Sequence, residues 1–273
     1  MEAVAHHHHH HHLRPLNFNN PPHPHPHKFK HSFRLYFSSS PPPPPQQVRH
    51  ESAVPKLEYK PGVFDDLFLN LFRDKMVQEV GWDSDKAGYG GLIEVANHLV
   101  MKSKSNSNTT EAAVRILRSL FPPWLLELYK MLVAPLAGGK VAAVMVARVT
   151  ALTCQWLMGR CTVNSVDLPD GTSCASGVFV EKCKYLEESK CVGICINTCR
   201  LPTQSFFKDY MGVPLLMEPN FTDYSCQFKF GVNPPLPQYD AILKEPCLEI
   251  CPNATRRREL ASNRTADQRC PKA

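Results

Sequence analysis

The chain has 273 residues, 43% of them apolar, which is enough to build a hydrophobic core in one or two domains. The net charge of +6 arises mainly at the start, where residues 1–50 carry five Lys or Arg and one acid. The remaining residues carry 26 basic and 24 acidic side chains, and this balance argues against a nucleic-acid-binding protein.

Residues 1–50 are predicted to be a transit peptide followed by a Pro/Ser/His-rich disordered spacer. They are poor in acids and lack the continuous apolar run of a secretory signal. Twelve of the 13 histidines lie here, including the run His6–His12, which raises the alternatives of an expression tag or a metal-binding tract. We favour natural low complexity, because the histidine bias continues at His23, His25 and His27.

The following segment is predicted to be helical. Apolar residues recur at helical spacing from Val63 to Met76, and Gly81 can end that helix. A second helix is predicted over Leu92–Met101.

Two further helices follow a polar loop over residues 103–108. Thr110 is the predicted N-cap of a helix over Glu111–Leu120. Pro122 and Pro123 interrupt it, and Pro123 can begin the next helix, which continues through Leu132.

The segment Val141–Met158 is predicted to form one long apolar helix. It has 18 residues, close to the lower limit for a membrane span, and Arg148 lies near its middle. A buried or membrane-facing helix is therefore favoured over a span.

Beyond Gly159 the pattern becomes that of a β-hairpin. Residues 161–168 alternate in polarity, Pro169–Gly171 is a turn signal, and Gly177–Val180 begins a second strand. The predicted fold class is α+β, with a helical N-terminal half and a loop-rich, cysteine-rich half that contains a small hairpin.

Cysteine spacing is the strongest chemical signal. All 11 cysteines lie between Cys154 and Cys270, and one block has the pattern C-x7-C-x3-C-x3-C. Four-residue steps place side chains on one helical stripe, where three thiolates can meet a metal with a fourth from elsewhere. Soft thiolates favour zinc and iron–sulfur clusters. The block and the cysteines that follow it are Cys183, Cys191, Cys195, Cys199, Cys226, Cys247 and Cys251.

Three interpretations of these cysteines remain open at this point: an iron or iron–sulfur site, structural zinc or plain core cysteine, and a disulfide framework. Zinc knuckles of the C-x2-C type are absent, and the odd cysteine count and the leader argue against complete pairing. Histidine can contribute little, because only His98 lies outside the leader. Glu94 and His98 could share a metal, but a surface or core pair is favoured.

Several long runs resemble the dwarf-twenty-seven family of plastid β-carotene isomerases. The resemblance covers about residues 57–270, which we expect to form a single domain with a helical part (57–158) and a cysteine-rich part (159–270). It is carried by the runs at residues 59–63, 91–97, 111–117, 154–159, 177–199, 201–204, 206–209, 217–221, 224–228 and 244–248.

The resemblance implies an iron-using plastid enzyme of plants that interconverts all-trans- and 9-cis-β-carotene, the first step of strigolactone biosynthesis. A carotenoid cleavage enzyme would then use the cis isomer. Iron, either mononuclear or in an iron–sulfur cluster, would be held by the seven cysteines named above. The helix over Val141–Met158 would suit peripheral contact with a plastid membrane, since the substrate dissolves in lipid.

Two mechanisms would transiently lower the order of a polyene double bond: one-electron transfer at iron, or protonation by an acid. Glu181, Glu187 and Glu188 are candidate acids, although solvation of the surface is their favoured role. The competing class is a non-enzymatic protein, either a zinc-stabilised interaction module or a carotenoid carrier.

Overall fold

The computed structural model describes residues 62–255. The leader predicted over residues 1–50 lies outside the described residues, as do both ends of the domain predicted over residues 57–270. The N-terminal half contains four helices of more than two turns before residue 133: α1 (Asp65–Val80), α2 (Gly88–Lys102), α3 (Asn106–Ser119) and α4 (Pro123–Leu132).

The first helix ends where the sequence predicts. Gly81 adopts the left-handed conformation, with φ of 71°, and its N–H donates to the Val77 carbonyl at 2.8 Å. The apolar stripe that predicted α1 faces largely outward, because Val63, Phe64 and Leu67 are all more than half exposed. The buried residues of α1 are Leu69, Met76 and Val80, of which Met76 belongs to the predicted stripe.

The predicted start of α3 is wrong by about one turn. The helix begins at Asn106 within the predicted loop, and Ser105 rather than Thr110 is its N-cap. The Ser105 hydroxyl accepts the Asn108 N–H at 3.2 Å, which satisfies one of the free donors at the helix start. This local hydrogen bond allows the polar Asn/Ser run to form the first turn.

Replacement of Ser105 with alanine is expected to lower the free energy of unfolding by about 1 kcal/mol, because an N-cap acceptor is lost. Urea denaturation followed by circular dichroism would measure this change. The matched control is Ser107→Ala in the same turn, whose hydroxyl donates to the exposed Glu111 side chain. Equal losses in both variants would contradict the capping role.

The predicted helix over Val141–Met158 is divided in two. Helix α5 (Lys140–Thr153) is followed by the short α6 (Gln155–Met158), with a break at Cys154. The Gln155 side chain donates to the Ala151 carbonyl at 2.8 Å, an acceptor that a continuous helix would use for its own backbone.

Among the described residues, the helical stretch Leu136–Thr153 is long and apolar enough, by length and composition alone, to cross a membrane. About a third of it, 33%, is buried. Its inner face, which includes Ala143, Val146 and Ala147, is packed into the core with the sheet. The outer face remains exposed.

The hairpin is confirmed as β1 (Cys161–Asp167) and β2 (Ser173–Val180). It belongs to a larger antiparallel sheet that includes β3 (Leu215–Pro219) and β4 (Cys226–Phe230), in the order β1-β2-β4-β3. The strands β3 and β4 alternate buried and half-buried residues, the pattern of a sheet with one covered face. The α+β prediction is confirmed, and its small hairpin is half of a four-stranded sheet.

The cysteine block folds into consecutive helical turns between β2 and β3. These are α7 (Lys184–Ser189), α8 (Val192–Ile194), a π-helical segment (Cys195–Arg200), α9 (Leu201–Ser205) and a second π-helical segment (Phe206–Tyr210). One hydrophobic core lies among α1, α2 and α3, and another lies between α5 and the sheet. Cys183, Cys199 and Leu157 pack against both cores, so this block lies where the two cores meet.

Candidate functional site

Four of the seven predicted cysteines line one small cavity between the helical block and the sheet. Cys183 precedes α7, Cys195 and Cys199 belong to the π-helical segment, and Cys226 begins β4. The cavity has a volume of about 20 Å³. Its remaining lining includes apolar side chains and one cation: Met158, Tyr185, Leu186, Arg200, Met217, Pro219 and Phe228.

The π-helical geometry of Cys195–Arg200 follows from the sequence immediately after it. Pro202 has no N–H to donate within the helix, and its ring would clash with the carbonyl four residues earlier. A locally widened turn is one response to such a proline, and π turns often occur at functional sites. The widened turn carries Cys195, Cys199 and Arg200 to the wall of the same cavity.

Burial dominates the electrostatics of these thiols. It raises the pKa of Cys199 to about 12 and the pKa of Cys183 above its usual value. It raises the pKa of Cys195 and of Cys226 well above the ordinary range, and the neighbouring thiols add to both shifts. Burial by itself therefore favours the neutral thiol form of all four side chains.

Arg200 is a site residue that the sequence analysis missed. Its side chain is 1% exposed and lines the thiol cavity. Its Nε donates to the Met217 carbonyl at 2.8 Å, and its Nη1 donates to Asp240 Oδ2 at 2.6 Å. The guanidinium charge partly offsets the upward shifts of the Cys195 and Cys226 pKa values. The only sequence signal was its position directly after Cys199.

The four thiols have the chemistry of soft-metal ligands, but their side chains are not arranged as a metal site. Four thiols without a carboxylate are ligands typical of zinc and iron–sulfur centres. Across residues 62–255, however, no three His, Cys, Asp or Glu side chains are grouped so that they could hold a metal ion as they stand.

The other three predicted cysteines lie away from this cavity. Cys191 and Cys251 are buried in the helical core, and Cys247 packs against the same core. None of these three cysteines lines the four-thiol cavity. The structure therefore separates the predicted set of seven into a group of four and a group in the other core.

The acidic candidates also lie outside the cavity. Glu181 forms an exposed ion pair with Arg160, and Glu187 pairs with Lys182. Glu94 contacts Lys86 and Ser84, whereas His98 stacks on Trp82 with ring centroids 4.5 Å apart.

A second, apolar cavity adjoins the thiols on the helical side. It has a volume of about 40 Å³, and both Cys199 and Tyr185 line it as well as the thiol cavity. The Tyr185 and Thr198 hydroxyls are hydrogen-bonded at 2.8 Å, and Thr198 also donates to the Ile194 carbonyl at 2.7 Å. The rest of its wall consists of Phe72, Met76, Leu99, Ala113, Ile116, Leu117, Leu157 and Thr203.

Comparisons with known proteins agree with the resemblance. Residues 156–239 match the family model described as "Beta-carotene isomerase D27-like, C-terminal". A Medicago truncatula protein named "Beta-carotene isomerase D27, chloroplastic" is 35% identical over 196 residues, which cover 71% of this chain and 75% of that protein. The chain belongs to the beta-carotene isomerase D27-like family. An Arabidopsis thaliana member of the same name is 32% identical over 190 residues, covering 69% and 70% of the two chains.

No solved structure matches this member of the D27-like family. The matched family region contains all four cysteines of the thiol cavity and ends before Cys247 and Cys251. Of the cysteines in the other core, Cys191 also lies within the matched region.

Proposed function

We propose that this protein is a plastid isomerase that interconverts all-trans- and 9-cis-β-carotene. The proposal is supported by family membership and by one geometric observation: Cys199 and Tyr185 form a common wall between an apolar cavity and a four-thiol cavity. A hydrocarbon in the apolar cavity would lie directly beside the thiols. By analogy with the family, the reaction would be the first step of strigolactone biosynthesis and would supply a carotenoid cleavage enzyme.

The apolar cavity corresponds to the inner end of a substrate groove. Its volume of about 40 Å³ is well below that of an ordinary ligand pocket, so most of the polyene would lie beyond it. Helix α1 forms one wall through Phe72 and Met76. The Phe72 and Trp156 rings meet edge-on, with their centroids 5.8 Å apart. Outward displacement of α1 would open a path, and the exposed apolar stripe of α1 would continue it.

Iron is the proposed metal, held by Cys183, Cys195, Cys199 and Cys226. Thiolate-bound iron, mononuclear or in a cluster, exchanges single electrons, which is chemistry that can weaken a polyene double bond. The chain's own contributions are steric and electrostatic. Its apolar walls exclude water, the hydrogen-bonded Tyr185 and Thr198 fix the common wall, and Arg200 supplies positive charge next to the thiols.

The deciding experiment is anaerobic purification of a chain that begins at residue 51, which removes the histidine-rich leader. Elemental iron, the visible spectrum and conversion of all-trans-β-carotene would be measured on the same sample. Iron with turnover to the 9-cis isomer is expected. Full-rate turnover by iron-free protein would contradict the role of iron.

The same experiment tests the non-enzymatic alternatives. A zinc-stabilised interaction module would contain zinc, lack iron and show no turnover. A carotenoid carrier would bind β-carotene stoichiometrically and leave its isomer ratio unchanged.

Ala113→Leu is expected to reduce isomerisation roughly 10-fold with iron content unchanged, because the added carbons occupy the apolar cavity. Initial rates from chromatographic separation of the isomers would measure the effect. The control is Val114→Leu, which enlarges the next residue of α3 at a half-buried position outside this cavity. A normal rate in Ala113→Leu would argue against this cavity as the substrate site.

We also propose that the outer face of α5 contacts a plastid membrane, from which the substrate would enter. Val141, Met145, Val149 and Leu152 are 40%, 45%, 56% and 78% exposed and recur every three or four residues along one face. Arg148 is the charged residue within this stripe. An exposed apolar helical face is typical of an interfacial contact.

The double substitution Val149→Glu, Leu152→Glu is expected to abolish most binding to galactolipid vesicles while preserving the fold, because both positions are exposed. Co-sedimentation with vesicles would measure binding, and iron content would report on the intact site. Val163→Glu on β1, at a position 39% exposed, is the control. If both proteins sediment equally, the α5 contact is refuted.

Plastid location is part of the proposal. Both relatives carry the word chloroplastic in their names, and residues 1–50 have the composition of a transit peptide. Import of a fluorescent fusion into isolated chloroplasts, with and without residues 1–50, would test this location.

A further inference from the structure

A second pair of thiols lies outside the proposed metal site. Cys191 precedes α8 and is 1% exposed, whereas Cys251 lies 60 positions later and is 0% exposed. Both are buried in the core formed with α1, α2 and α3. They are therefore brought together by the tertiary structure alone.

The two sulfurs are direct neighbours. Contact with the Cys191 thiol, together with burial, raises the pKa of the Cys251 thiol. The Asn253 side-chain amide donates to Cys191 Sγ at 3.7 Å and to Asn97 Oδ1 at 2.7 Å. The backbone N–H groups of Asn253 and Ala254 also donate to the Cys251 sulfur. These backbone donors only partly offset the rise, so the buried Cys251 sulfur is a neutral thiol. The thiolate, the species that attacks a disulfide, can therefore form only when the sulfur reaches water.

The surroundings suit a dithiol better than a metal site. The Asn253 amide contacts the Cys191 sulfur and is itself hydrogen-bonded to Asn97, and no described group of three His, Cys, Asp or Glu could hold a metal there. Neither Cys191 nor Cys251 lines the four-thiol cavity.

The pair is covered from outside by the segment 247–255. Within this segment, Cys251 and Ala254 are buried, while Ile250 is 56% exposed and Pro252 is also exposed. Its described backbone hydrogen bonds are local, from Cys251 N–H to Leu248 and from Thr255 N–H to Cys251. Local opening of this single segment would therefore expose both sulfurs.

We propose that Cys191 and Cys251 form a disulfide when the protein meets a small-molecule disulfide such as oxidised glutathione. The Cys251 thiolate attacks the oxidant and releases one thiol. The Cys191 thiolate then attacks the mixed disulfide and releases a second. The two protein thiols lose two electrons and two protons, and the oxidant becomes two thiols.

This bond would connect the C-terminal segment to the start of the helical turns that carry Cys195 and Cys199. Residues 191–251 would form a closed loop that contains the second π-helical segment and the strands β3 and β4. Because a disulfide restricts the unfolded chain, the oxidised protein is expected to melt at a higher temperature than the reduced protein.

The test uses the full chain, incubated anaerobically with either oxidised glutathione or a reducing dithiol. Free thiols are then blocked, and the protein is digested without reduction. We expect a cross-linked peptide joining Cys191 and Cys251 only in the oxidised sample. The higher melting temperature should disappear in Cys191→Ser and Cys251→Ser and persist in the control Cys174→Ser, whose half-buried residue lies on β2.

Iron content separates this inference from the proposed function. Cys191→Ser and Cys251→Ser are expected to retain iron, whereas substitutions at the four-thiol cavity should lose it. Absence of the linked peptide, cross-linking of either residue to another cysteine, or iron loss in these two variants would each overturn the disulfide proposal. Failure of isomerisation alone would affect only the proposed function.

Discussion

Cys226→Ser is expected to lose the proposed iron and to reduce β-carotene isomerisation by at least ~100-fold, because it removes one of the four thiols proposed to hold the metal. Cys226 is the most informative choice among the four. Unlike Cys199, it lines the thiol cavity but not the apolar cavity, and it lies on a strand outside the π-helical segment, so its loss should affect the metal without altering the proposed substrate contact. Elemental analysis and initial rates would be measured on anaerobically purified protein.

The matched control is Cys174→Ser, at a half-buried cysteine of β2 that lines neither cavity. It should retain both iron and activity. Circular dichroism should show that Cys226→Ser is folded. Retention of iron at the normal level in folded Cys226→Ser would exclude this residue as a ligand and would weaken the four-thiol assignment.

Asp240→Ala is expected to lower the free energy of unfolding by about 3–5 kcal/mol, because it leaves the buried Arg200 guanidinium without its counter-ion. The two side chains are 1% and 5% exposed and meet at 2.6 Å. Asp240 also accepts the Ile242 N–H through Oδ1, so its loss additionally removes the cap of a short helical turn. Denaturant titration would provide the measurement.

The control is Glu218→Ala, which breaks the partly exposed pair between Lys229 and Glu218. That pair has a similar distance of 2.7 Å, but its side chains are 32% and 43% exposed, so the expected loss is at most about 1 kcal/mol. Similar losses in the two variants would contradict the view that burial makes the Arg200–Asp240 pair important. Asp240→Ala should also disturb the thiol cavity, since Arg200 is part of its wall.

Local patterns were sufficient for most of the secondary structure. The helical period and its stop signals predicted α1, α2 and α4, and the alternation around Pro169–Gly171 predicted the first hairpin. The errors have local physical causes. Ser105 captures a backbone donor earlier than Thr110 could, and the Gln155 side chain occupies a carbonyl that a longer helix would need.

The helical period also failed to distinguish the inside of the protein from the outside. The stripe that predicted α1 is largely exposed, and the outer face of α5 also carries large apolar residues. Periodicity reports that apolar residues share a face, but not what that face contacts. In this protein, those faces are the proposed substrate path and membrane contact.

The sequence by itself determined the family and the α+β class, and it identified the cysteines from which the candidate site is built, because residue identity and spacing are local properties. Only the tertiary structure decided which cysteines meet. Cys183 and Cys226 join Cys195 and Cys199 through the approach of α7, the π-helical segment and β4, whereas Cys191, from the same four-residue repeat, faces Cys251 in the other core. The tertiary structure also brought Arg200 to the cavity. Arg200 lies in a π-helical segment, whose residues do not follow the α-helical period on which the predicted stripe was based.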